Sequence, residues 1–378
     1  MKILLIGERY SSNLGDGIIC ETVESLLKSH YNKSTITVAD ISGRIGYKCE
    51  DINKNKYTGK SIAKNIIKKI LLGANINLNN ILRLKRKKYI KQICNQDYDI
   101  AIYAGGHMLK DTFIPAIEDF TYYLSQKKIP IIFNACGAAV IKDIRQEEIL
   151  KGVLNNSNIV SISIRDDIER VNSIYLSGNK MKALPTYDPG IWARDIYKID
   201  KKDSETVGLG IMLVPHIEKN KIIKFWKEVI TSLRKEGISW KMFCNGKEND
   251  YELAKEILID MGFDENQLED LIKSRPKRPS ELVEQIAEFS SIISFRLHSH
   301  IIAYSLDIPS IAIVWDNKVR FFFDDIGFIE RCKTINDDSK EIVDSLLESL
   351  KRPYDNNLRS KQKLHSLNVL INAIDNNV

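Results

Sequence analysis

The sequence predicts an α/β protein of two domains, each built on a doubly wound parallel sheet covered by helices. Short apolar runs rich in β-branched residues alternate with amphipathic segments, which is typical of this architecture. The chain has 378 residues, too many for one ordinary core, and a charged stretch at 198–206 follows a Pro and a Gly. We therefore expect an N-terminal domain at 1–197, a C-terminal domain at 198–335 and helices at 336–378.

The first half contains five runs that read as strands buried on both faces, because few polar residues interrupt them. We expect these strands at 2–7, 35–41, 99–106, 129–137 and 159–166, and amphipathic helices at 17–29, 112–126 and 146–154.

The second half repeats the scheme and ends in two amphipathic helices. We expect strands at 207–213, 239–246, 292–297 and 310–315, and helices at 219–236, 250–261, 280–289 and 299–306. Two doubly wound sheets that face each other place a ligand in the cleft at the carboxyl ends of their strands. Polar and glycine-rich segments should therefore follow strands, and they do.

Composition predicts a cytoplasmic protein. The six cysteines are scattered, with no C-x-x-C pair, which argues against a zinc ribbon or a disulfide framework. The apolar stretch at the N-terminus is too short for a secretory signal, and no run reaches the length of a bilayer span.

The segment 54–91 is strongly basic. It holds twelve Lys or Arg residues and no Asp or Glu, so the rest of the chain sums to about −6 against a total of +6. Isoleucines and a leucine between 62 and 71 fall on one helical face, a pattern typical of an interfacial helix on an anionic membrane. A solvated basic helix pair is the alternative. Nucleic acid is disfavoured because aromatic residues are nearly absent.

The loop after the first strand carries Asn13 and Asp16 among glycines, directly before a helix. The exposed N–H groups of a helix N-terminus favour anions. A plain βα turn, capped by the same two side chains, is the alternative. The pattern is neither G-x-G-x-x-G nor a Walker loop, so a nucleotide site is poorly supported.

Two later strand ends carry further candidates. Gly105 and Gly106 allow close backbone approach to a ligand, and His107 could donate to it, unless the three form a simple tight turn. Arg165 ends another strand, where a guanidinium can hold phosphate or carboxylate through two hydrogen bonds. An ion pair with Asp166 or Asp167 is the alternative.

The densest cluster lies in the second half. Strand alternation would point Arg296 and His298 the same way, and Lys318 belongs to the loop after the next strand. Arg, His and Lys at adjacent strand ends predict a pocket for a small, highly charged anion, with His298 able to move a proton near neutral pH. A core histidine held by backbone is the alternative, and it fits His300 better.

Motifs for a catalytic nucleophile or a metal are missing from the sequence. There is no G-x-S-x-G, no H-E-x-x-H and no D-x-D triplet of the kind that metal-dependent glycosyltransferases use, and Asp16, Asp188 and Asp195 are each isolated. We expect no metal.

Taken in order, the motifs resemble those of the polysaccharide pyruvyl transferase family. They are N-L-G-D after the first strand, G-G after a later one, S-I-R-D, Y-D-P, R-L-H and D-N-K-V-R-F-F. The resemblance runs from about residue 3 to 330, and the R-L-H…P-S-I-A-I…K-V block is its most specific part. It implies a GT-B-like fold, with two Rossmann-like domains facing across a cleft. It says little about 44–95, which looks like an insertion.

The resemblance also implies roles for individual residues. The donor-binding groups fall on Arg165, Arg296 and Lys318, the catalytic acid falls on His298, and Asp16 matches the family's N-terminal acidic residue. Two departures lie in the N-terminal domain, the expected acceptor side. His107 stands where a third glycine is usual, and N-A-C-G-A-A at 134–139 replaces a stretch similar to G-Q-x-x-G-P.

The activity implied is transfer of the enolpyruvyl group of phosphoenolpyruvate onto a sugar as a ketal. Phosphoenolpyruvate would be a co-substrate on the C-terminal domain, with no resident cofactor, and the acceptor a glycan or lipid-linked sugar. One alternative is a GT-B-like glycosyltransferase, in which His298 and Lys318 would bind the diphosphate of a nucleotide-sugar. Another is a membrane- or polyanion-binding protein with a decayed site. A cytoplasmic enzyme peripheral to the inner face of the membrane fits the basic segment.

Overall fold

Two parallel β-sheets form the protein. The computed structural model describes residues 1–47, 78–178 and 181–378. In the described chain, seven strands form the first sheet in the order β2-β1-β3-β5-β6-β7, with β4 beside β5, and five form the second in the order β12-β11-β10-β8-β9. The expected two-sheet α/β class is confirmed.

The first sheet comes from the N-terminal half. Its strands are β1 (Lys2–Gly7), β2 (Thr35–Asp40), β3 (Ile100–Tyr103), β4 (Gly106–Leu109), β5 (Ile131–Ala138), β6 (Ile159–Ile164) and β7 (Leu184–Pro185). The strand order reverses between β1 and β3, which pair in parallel from Ile3↔Ile100 to Ile6↔Tyr103. The loops that follow these two strands therefore diverge and open a crevice at the carboxyl edge.

The second sheet repeats this plan. Its strands are β8 (Val207–Gly210), β9 (Trp240–Phe243), β10 (Ser291–Ser294), β11 (Ser310–Ile313) and β12 (Cys332–Lys333). Here the order reverses between β8 and β10, which pair from Ser291↔Val207 to Ser294↔Gly210. The segments after β8 and β10 thus also diverge and open a crevice at the carboxyl edge.

Fourteen α-helices cover the sheets in the described chain. They are α1 (Leu14–His30), α2 (Leu78–Cys94), α3 (Ile114–Gln126), α4 (Ile144–Leu154), α5 (Ile168–Arg170), α6 (Ala193–Tyr197), α7 (Lys219–Lys235), α8 (Glu248–Asp260), α9 (Glu265–Leu271), α10 (Pro279–Ala287), α11 (Leu297–Ser305), α12 (Asn317–Asp325), α13 (Ser339–Leu350) and α14 (Asn356–Asp375). A π-helical turn extends α5 over Val171–Tyr175, and 3₁₀ turns lie at Pro189–Trp192 and Ile329–Arg331.

The two C-terminal helices pack on different sheets. Helix α13 lies against α7 and the second sheet, whereas α14 returns to the first sheet, where Leu370 and Ile374 join a core with Ile3. Near its end, the Tyr31 hydroxyl donates to Asp375 Oδ1 over 2.7 Å. The two helices expected at 336–378 therefore pack on different halves of the molecule.

Several predicted elements have different bounds. The strand expected at 292–297 ends at Ser294, and the helix expected from 299 begins at Leu297. Helix α12 occupies the place of the expected loop, because Asp316 caps it by accepting from the Lys318 backbone N–H over 3.1 Å. The short strands β4, β7 and β12 were not expected, since runs of two to four residues carry little periodicity.

The basic segment is described in part. The predicted interfacial face at 62–71 lies outside the described residues, whereas helix α2 carries the basic residues after it. Across the described ranges, every helix is too short or too polar to traverse a lipid bilayer.

Candidate active site

The two carboxyl edges meet in a cleft that brings the predicted residues together. The Leu14 backbone N–H at the start of α1 donates to the Asn245 carbonyl over 2.9 Å, which ties the two halves directly beside the site. Gly15, one residue further, packs on the His298 ring. A Cβ on Gly15 would lie 2.3 Å from that of His298, so this position has room for glycine alone.

The turn from β10 into α11 orients Arg296 and His298. Arg296 is the N-cap, and its backbone N–H donates to Ser294 Oγ over 3.0 Å. One turn on, Ser299 Oγ donates to Asn245 Oδ1 over 2.9 Å and fixes the start of the helix. The prediction that strand alternation aligns Arg296 with His298 is wrong, because the strand ends before them. Both nevertheless reach the cleft, through the first turn of the helix.

His298 lies between two carboxylates of the opposite domain. Its Nδ1 is 3.8 Å from Asp16 Oδ1 and its Nε2 is 3.9 Å from Asp188 Oδ2. Burial lowers the pKa of His298 to about 3; Asp16 opposes this, while the nearby cations Arg165, Lys318 and Arg296 add to it. His298 is therefore neutral at pH 7 in the free protein. Its buried Nε2 makes no hydrogen bond within the described chain.

Asp16 is held by its own loop. Ser11 Oγ donates to Asp16 Oδ2 over 3.2 Å, and Asn13 Nδ2 donates to the same atom over 3.0 Å. Burial alone would raise the pKa of Asp16, but His298, Lys110 and these two hydrogen bonds bring it below its usual value. The cluster predicted at Asn13 and Asp16 thus places an ionised carboxylate beside His298.

Arg165 forms a buried ion pair with Asp188. Asp188 in turn caps the 3₁₀ turn that follows it, accepting from the Gly190 backbone N–H over 2.7 Å. Arg165 Nε also lies 3.7 Å from Asp166 Oδ2. The alternative considered for Arg165, a pairing with Asp166, is therefore present but secondary, and Asp167 pairs with Arg170 instead.

Two further cations complete the cluster. The Arg296 guanidinium pairs with buried Asp250, whose Oδ1 accepts from the Leu213 backbone N–H over 2.9 Å. Lys318 Nζ lies 3.3 Å from Asp316 Oδ2 and 4.4 Å from the centre of the Trp315 ring. Burial lowers the pKa of Lys318, an effect that Asp316 partly offsets.

The glycine-rich segment after β3 makes a sharp bend into β4. Gly105 and Gly106 both have positive φ, and a Cβ on Gly105 would lie 2.8 Å from the Asn134 carbonyl oxygen. The bend places His107 in the cleft, with its Nδ1 3.5 Å from Lys318 Nζ of the other domain. In the neighbouring strand β5, Ala135 also has positive φ, and it belongs to the stretch 134–139 that departs from the family pattern.

His300 lies two residues from His298 but faces the core. Its Nε2 lies 3.0 Å from the Ser294 carbonyl oxygen, and its ring packs edge-on against Phe323 at 5.1 Å. Burial lowers the pKa of His300 to about 4. This matches the structural role expected for it.

The site contains carboxylates that sequence reasoning did not assign. Asp188 and Asp250 hold the two arginines, and Glu8 lies near Asp16, with its pKa raised to about 7 mainly by burial and then by Asp16. The signal for Asp188 was its place before Pro189, typical of a capping residue. Nothing local to Asp250 indicates its pairing with Arg296, and nothing local to Glu8 indicates its ion pair with Arg44, whose Nη2 lies 2.8 Å from Glu8 Oε1.

Two cavities open on either side of the cluster. The first cavity measures about 580 Å³, and its lining includes the basic residues Lys247, Arg275 and Lys277. The second cavity measures about 430 Å³, and its lining includes Arg165, Asp167 and Asp325. Burial, then Asp324 and Asp166, raise the pKa of Asp325 to about 7.

Comparison with known protein families finds a match over most of the chain. A sequence model of the family described as "Polysaccharide pyruvyl transferase" matches residues 13–317. No curated protein matches the chain.

Solved structures share the fold at low sequence identity. A Staphylococcus aureus MnaA–UDP co-structure has a TM-score of 0.58 at 12% identity, covering 99% of this chain and 96% of that one. A UDP-GlcNAc 2-epimerase from Methanocaldococcus jannaschii, in complex with UDP-GlcNAc and UDP, has a TM-score of 0.59 at 13% identity, covering 99% of both chains. The spinosyn rhamnosyltransferase SpnG, complexed with thymidine diphosphate, has a TM-score of 0.50 at 10% identity, covering 99% of this chain and 100% of that one. The expected GT-B-like fold is confirmed.

Proposed function

The chain belongs to the polysaccharide pyruvyl transferase family, and on that premise we propose that it transfers the enolpyruvyl group of phosphoenolpyruvate to a sugar as a ketal. The chain is a transferase. The acceptor we propose is a cell-surface polysaccharide or its lipid-linked precursor. Phosphoenolpyruvate acts as a co-substrate, and neither a resident cofactor nor a metal takes part in the proposed scheme.

The observation that carries the proposal is a set of buried donors without partners around His298. Arg165 Nη2 and Arg296 Nε make no hydrogen bond within the described chain, although both side chains are buried. Such donors are costly unless a ligand accepts from them. Phosphoenolpyruvate offers a phosphate and a carboxylate, about three negative charges, and Arg165, Arg296 and Lys318 would hold it.

Donor binding would also charge His298. A unit charge at about 4 Å is worth about 4 kcal/mol at an effective dielectric constant of about 20, equivalent to about three pKa units. Phosphoenolpyruvate would therefore offset the three cations and lift the pKa of His298 from about 3 towards neutrality, with Asp16 and Asp188 already in place. The protonated ring then serves as the general acid for the methylene carbon.

The reaction follows from this arrangement. Protonation of the methylene gives a methyl group and an electron-poor carbon beside the carboxylate. One sugar hydroxyl adds to that carbon, phosphate leaves, and a second hydroxyl closes the ketal. The fixed cations stabilise the departing phosphate, which is the form of catalysis that preorganised charge supplies best.

We assign the acceptor side to the N-terminal loops. Asn13 and Asp16, together with Gly105, Gly106 and His107, border the cleft opposite α11. The glycines let the backbone approach a sugar closely, and the carboxylate can accept from its hydroxyls.

A donor panel tests the proposed function. Phosphoenolpyruvate should raise the melting temperature of the protein more than pyruvate, inorganic phosphate or UDP-GlcNAc at equal concentration, because a ligand that binds the folded state stabilises it. Stabilisation by UDP-GlcNAc without a response to phosphoenolpyruvate would instead support a glycosyltransferase that uses a nucleotide-sugar.

A pyruvyl transfer assay tests turnover. The protein is incubated with labelled phosphoenolpyruvate and membranes from cells that make the glycan, and acid-labile pyruvate on the glycan is counted. We expect incorporation, and a glycan mass increase that matches one pyruvyl ketal. No incorporation alongside no thermal response would contradict the proposal.

The basic segment 54–91 is proposed to hold the enzyme at an anionic membrane surface on the cytoplasmic side, where a lipid-linked acceptor would lie. In its described part, Leu82 and Leu84 are exposed on α2 beside the basic side chains of Arg83 and Lys85. Apolar side chains flanked by cations suit an interface of this kind.

Vesicle sedimentation tests this proposal. We expect the protein to sediment with vesicles of anionic lipid but not with neutral vesicles, and equal sedimentation with both would contradict it. Nucleic acid is not a proposed partner.

A further inference from the structure

His107 faces the reaction space from the domain opposite His298. The bend at Gly105 and Gly106 presents it, and its Nδ1 lies 3.5 Å from Lys318 Nζ across the cleft. The ring is half-buried, so a ligand can reach it. The scheme for His298 leaves this second histidine unused, although two hydroxyl protons must leave the acceptor.

The two histidines share the cations Arg165 and Lys318 but differ in their carboxylate neighbours. The groups that face His107 are Lys318 on α12, Arg165 after β6, Lys110 after β4 and His298 on α11. Burial and then these groups hold the pKa of His107 well below its usual value.

His298 differs because it has carboxylate neighbours. Asp16 and Asp188 both lie within 3.9 Å of its ring nitrogens. Two titratable groups whose charged neighbours differ in this way can divide the roles of acid and base. A proton supplied to the site would therefore settle on His298, while His107 keeps its lone pair.

Resting on the proposed function, we propose that His107 is the general base that takes the proton of the first acceptor hydroxyl. In the free protein, Lys318 Nζ lies against Nδ1, the nitrogen whose lone pair would do this. Phosphoenolpyruvate draws Lys318 onto its own negative charge and exposes that lone pair. The base therefore becomes available once the donor is bound.

The proton balance closes with two histidines. His298 gives its proton to the methylene carbon, the first hydroxyl oxygen bonds to the adjacent carbon, and its proton goes to His107. The carbon–oxygen bond to phosphate breaks, and its electron pair leaves with phosphate. The second hydroxyl oxygen bonds to the same carbon, and its proton goes to phosphate. His107 ends with one proton gained and His298 with one lost, and exchange with solvent restores both.

Substitution with chemical rescue tests this role. His107→Gln keeps an acceptor for Lys318 but cannot take a proton at neutral pH, and His107→Gly leaves space for added imidazole. We expect both variants to lose about 10²- to 10⁴-fold in the pyruvyl transfer assay, the usual contribution of a general base. Imidazole should restore His107→Gly and leave His107→Gln unchanged. His30→Gln, at an exposed position at the end of α1, is the matched control and should keep wild-type transfer.

The outcomes separate this proposal from the function it rests on. Transfer by His107→Gln within about threefold of wild type overturns the base role. A loss that imidazole does not rescue also overturns it, and accompanying weak binding of phosphoenolpyruvate would assign His107 to holding Lys318. Absence of transfer by the wild-type protein would reject the proposed function itself.

Discussion

The two sheet edges that face each other across the cleft differ in how their charges are paired. On each edge, a carboxylate of the same domain pairs with the arginine: Asp188 pairs with Arg165 on the first edge, and Asp250 pairs with Arg296 on the second. His298 is different, because both carboxylates beside it, Asp16 and Asp188, come from the opposite edge.

Under the proposed function, the ion-paired cations serve binding of the donor, whereas His298 serves proton transfer. The cations are fixed within single domains, so each domain carries a preformed part of the proposed anion site. The protonation of His298, in contrast, depends on how the domains meet, since burial, the cations and the two carboxylates all act on it. We expect changes at the ion pairs to affect binding and stability, and changes at the junction to affect chemistry.

The largest effect is expected at His298. His298→Ala should lower pyruvyl transfer at least about 10³-fold, because it removes the proposed general acid, while thermal stabilisation by phosphoenolpyruvate stays largely intact. His30→Ala serves as the control. Transfer near the wild-type level by His298→Ala would end the assignment of the acid.

Asp188 belongs to both kinds of pairing, and its removal should damage both. Asp188→Asn leaves Arg165 buried without its anion, which costs about 3–5 kcal/mol in the free energy of unfolding. It also removes a neighbour of His298, so transfer should fall. Asp250→Asn is the matched comparison: it should destabilise similarly through Arg296 and weaken phosphoenolpyruvate binding. Denaturant unfolding measures the loss of stability, and donor titration measures the affinity for phosphoenolpyruvate. If the two variants changed donor affinity and turnover equally, the proposed difference between the two sheet edges would be contradicted.

Gly15 tests the junction alone. Gly15→Ala places a methyl group against His298, with a cost of about 1–3 kcal/mol for overpacking. We expect transfer to fall while binding of phosphoenolpyruvate changes little, because no cation is touched. The control is Gly152→Ala in helix α4, where a Cβ meets nothing within 4 Å. Wild-type kinetics in Gly15→Ala would show that the packing of α1 on His298 is irrelevant.

The smallest effect is a pH dependence of stability. His298 and His300 have folded pKa values of about 3 and 4, below the ordinary value of 6.5, so the unfolded chain binds more protons in that range. Stability from both is present above pH 6.5 and is lost as the pH falls towards 4. Phosphoenolpyruvate should reduce the contribution of His298 to this pH dependence and leave the contribution of His300 unchanged. Thermal melting from pH 7 to 4.5 measures this, and a melting temperature that does not fall over this range would contradict it.

The fold was predictable from sequence because buried parallel strands leave long apolar runs. The core of each central strand was expected within a few residues, as at Lys2–Gly7 and Val207–Gly210. The short edge strands were not expected. The start of α11 was not expected either, since it is decided by local hydrogen bonds such as the one from the Arg296 backbone N–H to Ser294 Oγ.

The cations of the site and Asp16 were predictable from the sequence, but the carboxylates that pair with its arginines were not. Arg165, Arg296, His298 and Lys318 stood at strand ends, where this architecture gathers ligands. Asp188 and Asp250 act through partners distant in sequence, Arg165 and Arg296, and such pairing is visible once the fold brings them together. The low pKa of His298 could not be inferred either, because it depends on burial between domains.

The central claim is that the donor charges its own acid, and calorimetry tests it most directly. Binding of phosphoenolpyruvate at pH 7 is measured in buffers of different ionisation enthalpy, for the wild-type protein and for His298→Gln. We predict that the wild-type protein takes up protons when phosphoenolpyruvate binds and that His298→Gln takes up measurably fewer. Equal proton uptake by the two proteins, with binding intact in both, would contradict the account.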